Sequence, residues 1–286
     1  LSLLWENGRP FEEVDERIIR DMFSGIQNRT RKERFVMVFR KLARIAAILL
    51  IPLLSVLSGY LYFNPVNQEE GIGNLVVHAD RGERSGVTLP DGTQVKLNAE
   101  SSLSYTHDFG RELRQVNLEG EAYFEVTRNE DKPFVVHTKY LDIEVLGTSF
   151  NVYSYERENV MEMALISGRI KIQTCSEPSR VVYLKPNEKA LFNKESGIIT
   201  VEKTDNRFET AWLRGDLVFR STTLSDVLAK LERRYGVNIH LNDSSLANDL
   251  FTGNFDSEYI VEVMDLLERH YDFTYDVRGD DIFIHP

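Results

Sequence analysis

Cysteine is almost absent from this sequence: Cys175 is the only one in 286 residues. A single thiol forms no intramolecular disulfide and no thiolate metal cluster. Positive charge is in deficit, with 34 Lys and Arg against 45 Asp and Glu and a net charge of −11. An acidic bulk of this kind argues against nucleic acid as a direct partner. Metal-ligand spacing is also missing, because His78, His107, His137, His240, His270 and His285 are scattered singly. No nucleophile–base pair or phosphate loop stands out, since Leu146-Gly147-Thr148 lacks the lysine and following helix of such a loop. The reading is therefore of a non-enzymatic protein with no catalytic residue, no cofactor and no metal.

What is present is a globular composition, 42% apolar and 28% charged, on a chain long enough for two ordinary domains. The charge is unevenly placed. Residues 1–44 carry 10 basic and 7 acidic groups, residues 45–63 none, and residues 64–286 carry 24 basic and 38 acidic groups. Ile45 to Phe63 is thus a 19-residue uncharged run, about 28 Å long as a helix and close to the thickness of a bilayer core. Tyr60 and Tyr62 at its far end suit a membrane interface. No cleavage pattern of small residues follows it, and no polar stripe interrupts it, so it is expected to be a transmembrane anchor and neither a signal peptide nor a core helix.

Seven basic residues lie between Arg29 and Arg44, against the single acid Glu33. By the positive-inside rule the N-terminus is in the cytoplasm and the acidic bulk is outside. The expected topology is a membrane crossed once. Phe11, Val14, Ile18, Met22 and Ile26 have helical spacing, so an amphipathic helix is expected over residues 12–27. The chain opens at Leu1 without an initiator methionine, and further sequence is expected upstream.

After a linker over residues 64–74, residues 75–205 read as an all-β domain of short alternating runs. A strand–turn–strand unit recurs around Asp91-Gly92, Gly120, Gly147, Gly168 and Asn187. It suggests stacked β-arms, a sandwich or a short solenoid-like layer structure. Gly147 is expected in a tight turn at positive φ where two backbones approach. Glu121 and Glu125 share a strand face and read as an exposed charged edge, with no base or nucleophile beside them.

Residues 212–286 repeat themselves at an offset of 36 residues. Phe219 pairs with Phe255, Leu224 with Ile260, Leu228 with Met264, Leu231 with Leu267 and Tyr235 with Tyr271. Each copy places its apolar residues on one face of a helix. Thr222 or Thr223 is expected to cap the first helix, Ser257 the second, and Gly236 to end the first. Two βαβ halves and a final hairpin at Arg278-Gly279-Asp280 give an α+β domain, its helices on one face of a small sheet.

Four blocks in order carry a resemblance. They are Pro90-Asp-Gly-Thr-Gln-Val-Lys-Leu97, Val116-Asn-Leu-Glu-Gly-Glu-Ala-Tyr-Phe-Glu-Val126, Lys132-Pro-Phe-Val-Val136 and Val145-Leu-Gly-Thr-Ser-Phe-Asn-Val152. Together they closely resemble the FecR family of membrane-bound sigma-factor regulators. The matching positions are Asp91, Gly92, Gly120, Glu121, Phe124, Gly147, Thr148, Phe150 and Asn151, all expected to be structural. The duplicated C-terminal domain looks like the short N-terminal domain of secretins and TonB-dependent transducers. The resemblance implies a cytoplasmic extracytoplasmic-function sigma factor as one partner. It implies the periplasmic signalling domain of an outer-membrane TonB-dependent transducer as the other. The family's cytoplasmic part is usually longer than the 44 residues seen here. The alternative reading is an inner-membrane scaffold or docking protein of an envelope or secretion assembly.

Overall fold

The computed structural model describes residues 74–286 except Asp243, Ser257 and Glu258, together with Leu50, Pro52, Leu53, Leu54 and Ser58. The expected amphipathic helix over 12–27, the basic run over 29–44, the linker over 64–73 and the Ser257 cap lie outside the described residues. Within the apolar run, the few described residues are helical. Among the described residues no helix is long and apolar enough to cross a membrane. The chain divides into two units, Leu1–Gly71 and Ile72–Pro286, and the second holds everything discussed below.

From Leu75 to Lys203 the chain forms thirteen strands and no helix. Alternation of buried and exposed side chains, as in Leu141–Val145 and Ile170–Thr174, puts one face of each strand inward. The strands make two sheets that share one long member, Arg114–Glu125. Its first part pairs with Ser101–Tyr105 and, in parallel, with Phe134–His137. Its second part pairs with Gln94–Leu97 and Ser149–Ser154. The crossing point is Gly120, at φ 93°. A Cβ there would lie 2.3 Å from the Ser101 Oγ, so only glycine fits. One core fills the space between the layers, built from residues such as Leu103, Leu118, Phe124, Phe134, Ile143, Phe150, Met163 and Ile172. Of the expected architectures, this is the sandwich.

Two expectations need correction. The unit around Gly120 is not a hairpin but a single strand bent in the middle. The turns near Gly147, Gly168 and Asn187 are not hairpins either. Leu141–Val145 pairs with Phe134–His137 and Ile170–Thr174, whereas Ser149–Ser154 pairs with the second part of the long strand and with Val160–Ser167. The chain therefore changes sheet at these turns, and each is a corner of the sandwich. Gly147 is also not in the left-handed region. Its need for glycine comes from Arg128, whose Cα and Cβ would both sit 2.6 Å from an added Cβ.

The C-terminal part follows the order strand, helix, strand twice, then a last strand. The helices are Leu224–Tyr235 (α1) and Ile260–Tyr271 (α2). The Thr223 hydroxyl accepts from the Asp226 amide at 3.2 Å, and Gly236 ends α1 at φ 72°. At the other helix Asp272 takes the left-handed position, at φ 56°. The expected single sheet is in fact two. Asp216–Thr223 pairs with Leu250–Asp256, so the first strands of the two halves meet each other. Asn238–Leu241 runs parallel to Asp281–His285, which pairs with Thr274–Arg278 through the turn at Gly279. Leu224, Leu228, Leu231, Met264 and Leu267 share one buried cluster with Phe219, Phe255 and Phe273. Tyr235, Ile260 and Tyr271 pack at its edge.

Candidate functional site

The matching positions fall into three structural settings. The first is a staple. Arg114, 2% exposed, pairs with Asp91 at 3.0 Å and donates to the carbonyls of Lys132 and Thr127, each at 2.8 Å. Asp91 also accepts from the Thr93 amide and hydroxyl, both at 2.9 Å. The Asp91-Gly92 turn is thereby tied to the long strand and to the loop that follows it. Arg114 was not singled out by sequence because its partners lie 13 to 23 residues away. The second setting is the core, where Phe124 and Phe150 stack at 4.9 Å. The Thr148 hydroxyl, at a corner, donates to the Arg169 carbonyl at 3.1 Å.

The third setting centres on Glu121, where the structure overturns the expectation of an exposed charged edge. Glu121 points away from the sandwich core, as strand alternation with Ala122 requires, yet it is buried. It is covered by Trp212, on the short helical turn Ala211–Arg214, and by α1. Its two carboxylate oxygens accept from the side-chain amides of Asn98, at 2.8 Å, and Asn151, at 2.9 Å. Asn151 accepts in turn from the Trp212 indole N–H at 3.0 Å. Asn98 accepts from the Arg84 Nε at 3.2 Å. Burial pushes the Glu121 carboxyl up to about 7, against the pull of the two asparagine amides and the more distant Lys230 and Arg233.

Beside Glu121 the C-terminal domain docks on the sandwich through Arg233 of α1. Its guanidinium lies 3.8 Å over the Tyr155 ring, donates to the Tyr153 hydroxyl at 3.1 Å and pairs with Glu158. Burial alone would lower its proton affinity, but Tyr153, Glu158 and Tyr155 together hold it raised. The Tyr155 hydroxyl donates to the Ala99 carbonyl at 2.7 Å. Nearby, Lys189 bridges Glu162 at 3.2 Å and Glu209 at 3.0 Å.

These groups surround a cavity of about 130 Å³ between the sandwich and the C-terminal domain. Its acids are held by hydrogen bonds or ion pairs, with no nucleophile poised against a base, and the arrangement suits docking or binding and not bond cleavage. Among the described residues no group of three or more His, Cys, Asp or Glu is placed to hold a metal.

Comparison with known proteins agrees with this two-part construction. A family model described as FecR protein matches residues 76–171, and one described as FecR, C-terminal matches residues 216–284. The chain belongs to the FecR family. Two crystal structures of a candidate anti-sigma factor from Parabacteroides distasonis ATCC 8503 are similar to it. Each superposes with a TM-score of 0.68 at 34% identity, covering 74% of this chain and 98% of that one. A search of curated proteins found no match. FecR proteins are regulators and not enzymes, in keeping with the absence of a catalytic motif. In the FecR setting Glu121 and Asn151, read from sequence as structural motif positions, join Trp212, from the C-terminal part, in one hydrogen-bonded network.

Proposed function

We propose that this chain is a single-pass anti-sigma regulator of the bacterial inner membrane. Its N-terminal segment holds or releases an extracytoplasmic-function sigma factor. Its sandwich and C-terminal domain, outside the cytoplasm, receive a signal from the periplasmic domain of a TonB-dependent outer-membrane transducer. The observation that carries the reading is the likeness to the candidate anti-sigma factor, which extends over 98% of that solved chain at 34% identity. The basic flank and the uncharged run of residues 45–63 support the membrane anchor and its orientation. The outer edges of the small C-terminal sheets, unpaired among the described residues, offer backbone groups to a partner strand.

The test is purification of the intact chain from membranes, with associated proteins identified by mass spectrometry. A sigma factor and a TonB-dependent transducer are expected. A transducer must be lost from the complex when residues 212–286 are removed. Recovery of secretion-system components with no sigma factor would replace this reading by the scaffold alternative.

A further inference from the structure

We propose that the cavity between the sandwich and the C-terminal domain is a binding site for a small oxyanion, of the phosphate, sulfate or carboxylate class, that bridges the two. The argument rests on which charges in its wall are matched. Every acid there has a close partner. Glu162 and Glu209 share Lys189, Asp216 pairs with Arg214 at 3.0 Å, and Glu121 takes the two asparagine amides. Arg233 is matched by Glu158.

Three cations are left. Arg84 reaches in from the sandwich, and Lys230 and Arg234 stand one turn apart on α1. Among the described residues none of the three has a carboxylate within ion-pair distance. Arg84 and Arg234 are close enough to repel: burial first and the Arg234 charge second lower the proton affinity of Arg84, against the weaker pull of Glu121, Tyr155 and Asp216. Among the described residues the Nε of Arg234 is buried without a hydrogen-bond partner. A buried, unmatched donor costs free energy that an acceptor would recover. Two guanidiniums and an ammonium converging on one space supply the charge-assisted donors that oxyanions select.

Size narrows the ligand. A cavity of about 130 Å³ is well below the roughly 300–1,000 Å³ of pockets for drug-sized molecules. It suits an ion of a few heavy atoms. Because the cations come from both the sandwich and α1, an anion among them would add a bridge beside the Arg233 contact. Occupancy would therefore strengthen docking of the C-terminal domain, whichever sigma factor the chain controls.

The experiment uses residues 72–286, a compact unit by itself; 74% of this chain covers 98% of the crystallised Parabacteroides chain. Phosphate, sulfate and acetate are titrated separately, at ionic strength matched with chloride, by calorimetry and thermal melting. At least one of the three is expected to bind and to raise the melting temperature where chloride does not. K230Q and R234Q should each weaken that anion about tenfold or more, the loss of one charge-assisted hydrogen bond. R84Q changes a side chain of the sandwich and not of α1, so it tests the same site if the α1 variants fold poorly. R269Q, at the equivalent position of α2 to Arg233 and outside the cavity, should leave binding unchanged. An identical response to chloride, no binding by any of the three anions, or binding unaltered in R84Q and R234Q would each overturn the proposal.

Discussion

Removing the charge from Glu121 tests the buried network most directly. The folded carboxyl is raised from its ordinary 4.5 to about 7, so between those values the folded state holds a proton that the unfolded chain has released. Stability then falls as pH rises through that window, the reverse of the usual salt-bridged carboxylate. A difference of about 2.5 units at 1.36 kcal/mol each is about 3 kcal/mol over the full window, and roughly 2–3 kcal/mol of it lies between pH 5 and 8. Glu121→Gln cannot ionise, so it removes this slope.

The substitution also has a fixed cost. An amide offers one oxygen where the carboxylate offers two, and neither asparagine can flip to compensate. The Oδ1 of Asn151 is engaged by Trp212 and that of Asn98 by Arg84. One buried donor is left unsatisfied, a loss of about 1–3 kcal/mol at every pH. Denaturant unfolding of residues 72–286 at pH 5 and pH 8, for wild type and E121Q, separates the two effects. Trp212 is the only tryptophan in that fragment and reports from inside the network. E121Q should be less stable than wild type at both values, with the gap roughly 2–3 kcal/mol wider at pH 5 than at pH 8. A constant gap between the two proteins across that range would refute the assignment of a raised carboxyl to Glu121.

Gly147→Ala should lower stability by about 1–3 kcal/mol, because the new Cβ would sit 2.6 Å from Arg128 backbone. Gly86→Ala, whose added Cβ would come no closer than 3.7 Å to the Val95 carbonyl oxygen, should cost less in the same melts. Leu231→Ala or Leu267→Ala should destabilise by about 2–5 kcal/mol, as full burial in one shared cluster requires; equality with wild type in denaturant titrations would count against that core. Arg233→Leu leaves Glu158 unpaired against the sandwich, with a cost toward the low end of the roughly 3–5 kcal/mol for breaking a buried pair. Its docking defect should appear as a red shift of Trp212 emission. In the intact chain, a periplasm-active reporter fused after Asp80 should be active and one fused after Asn28 silent; the opposite pattern would invert the proposed topology.

Much of the C-terminal architecture could be read from residues because its signal is local. Leu224, Leu228 and Leu231 recur at helical spacing, and their counterparts 36 residues on meet them in one core. What that spacing could not tell was which strands pair, since pairing of Asp216–Thr223 with Leu250–Asp256 depends on closure of the whole domain. The corners of the sandwich show the same limit. A glycine between two short β runs marks a change of direction, yet a hairpin and a passage to the other sheet need the same local chemistry. Glu121 was misread because alternation gives the side a residue faces but not what covers that side. Its neighbours Asn98, Asn151 and Trp212 are separated from it by 23, 30 and 91 positions, and only the docked C-terminal domain makes that outer face an interior.

The long strand Arg114–Glu125 has a consequence for how the sandwich forms and fails. Since its two ends are central members of different sheets, the two sheets are covalently continuous through one strand and are expected to form together. Partners as distant as Gln94 and Ser154 must meet before the layer built on its second part is complete, so closure is non-local and folding is expected to be slow for its size. Amide protons along this strand should exchange with solvent only through global opening, whereas those of the edge strand Leu75–Ala79, paired on one side alone, can exchange by local fraying. A protease that cuts near the N-terminal end of the sandwich would therefore meet a yielding edge fastened to an unyielding axle.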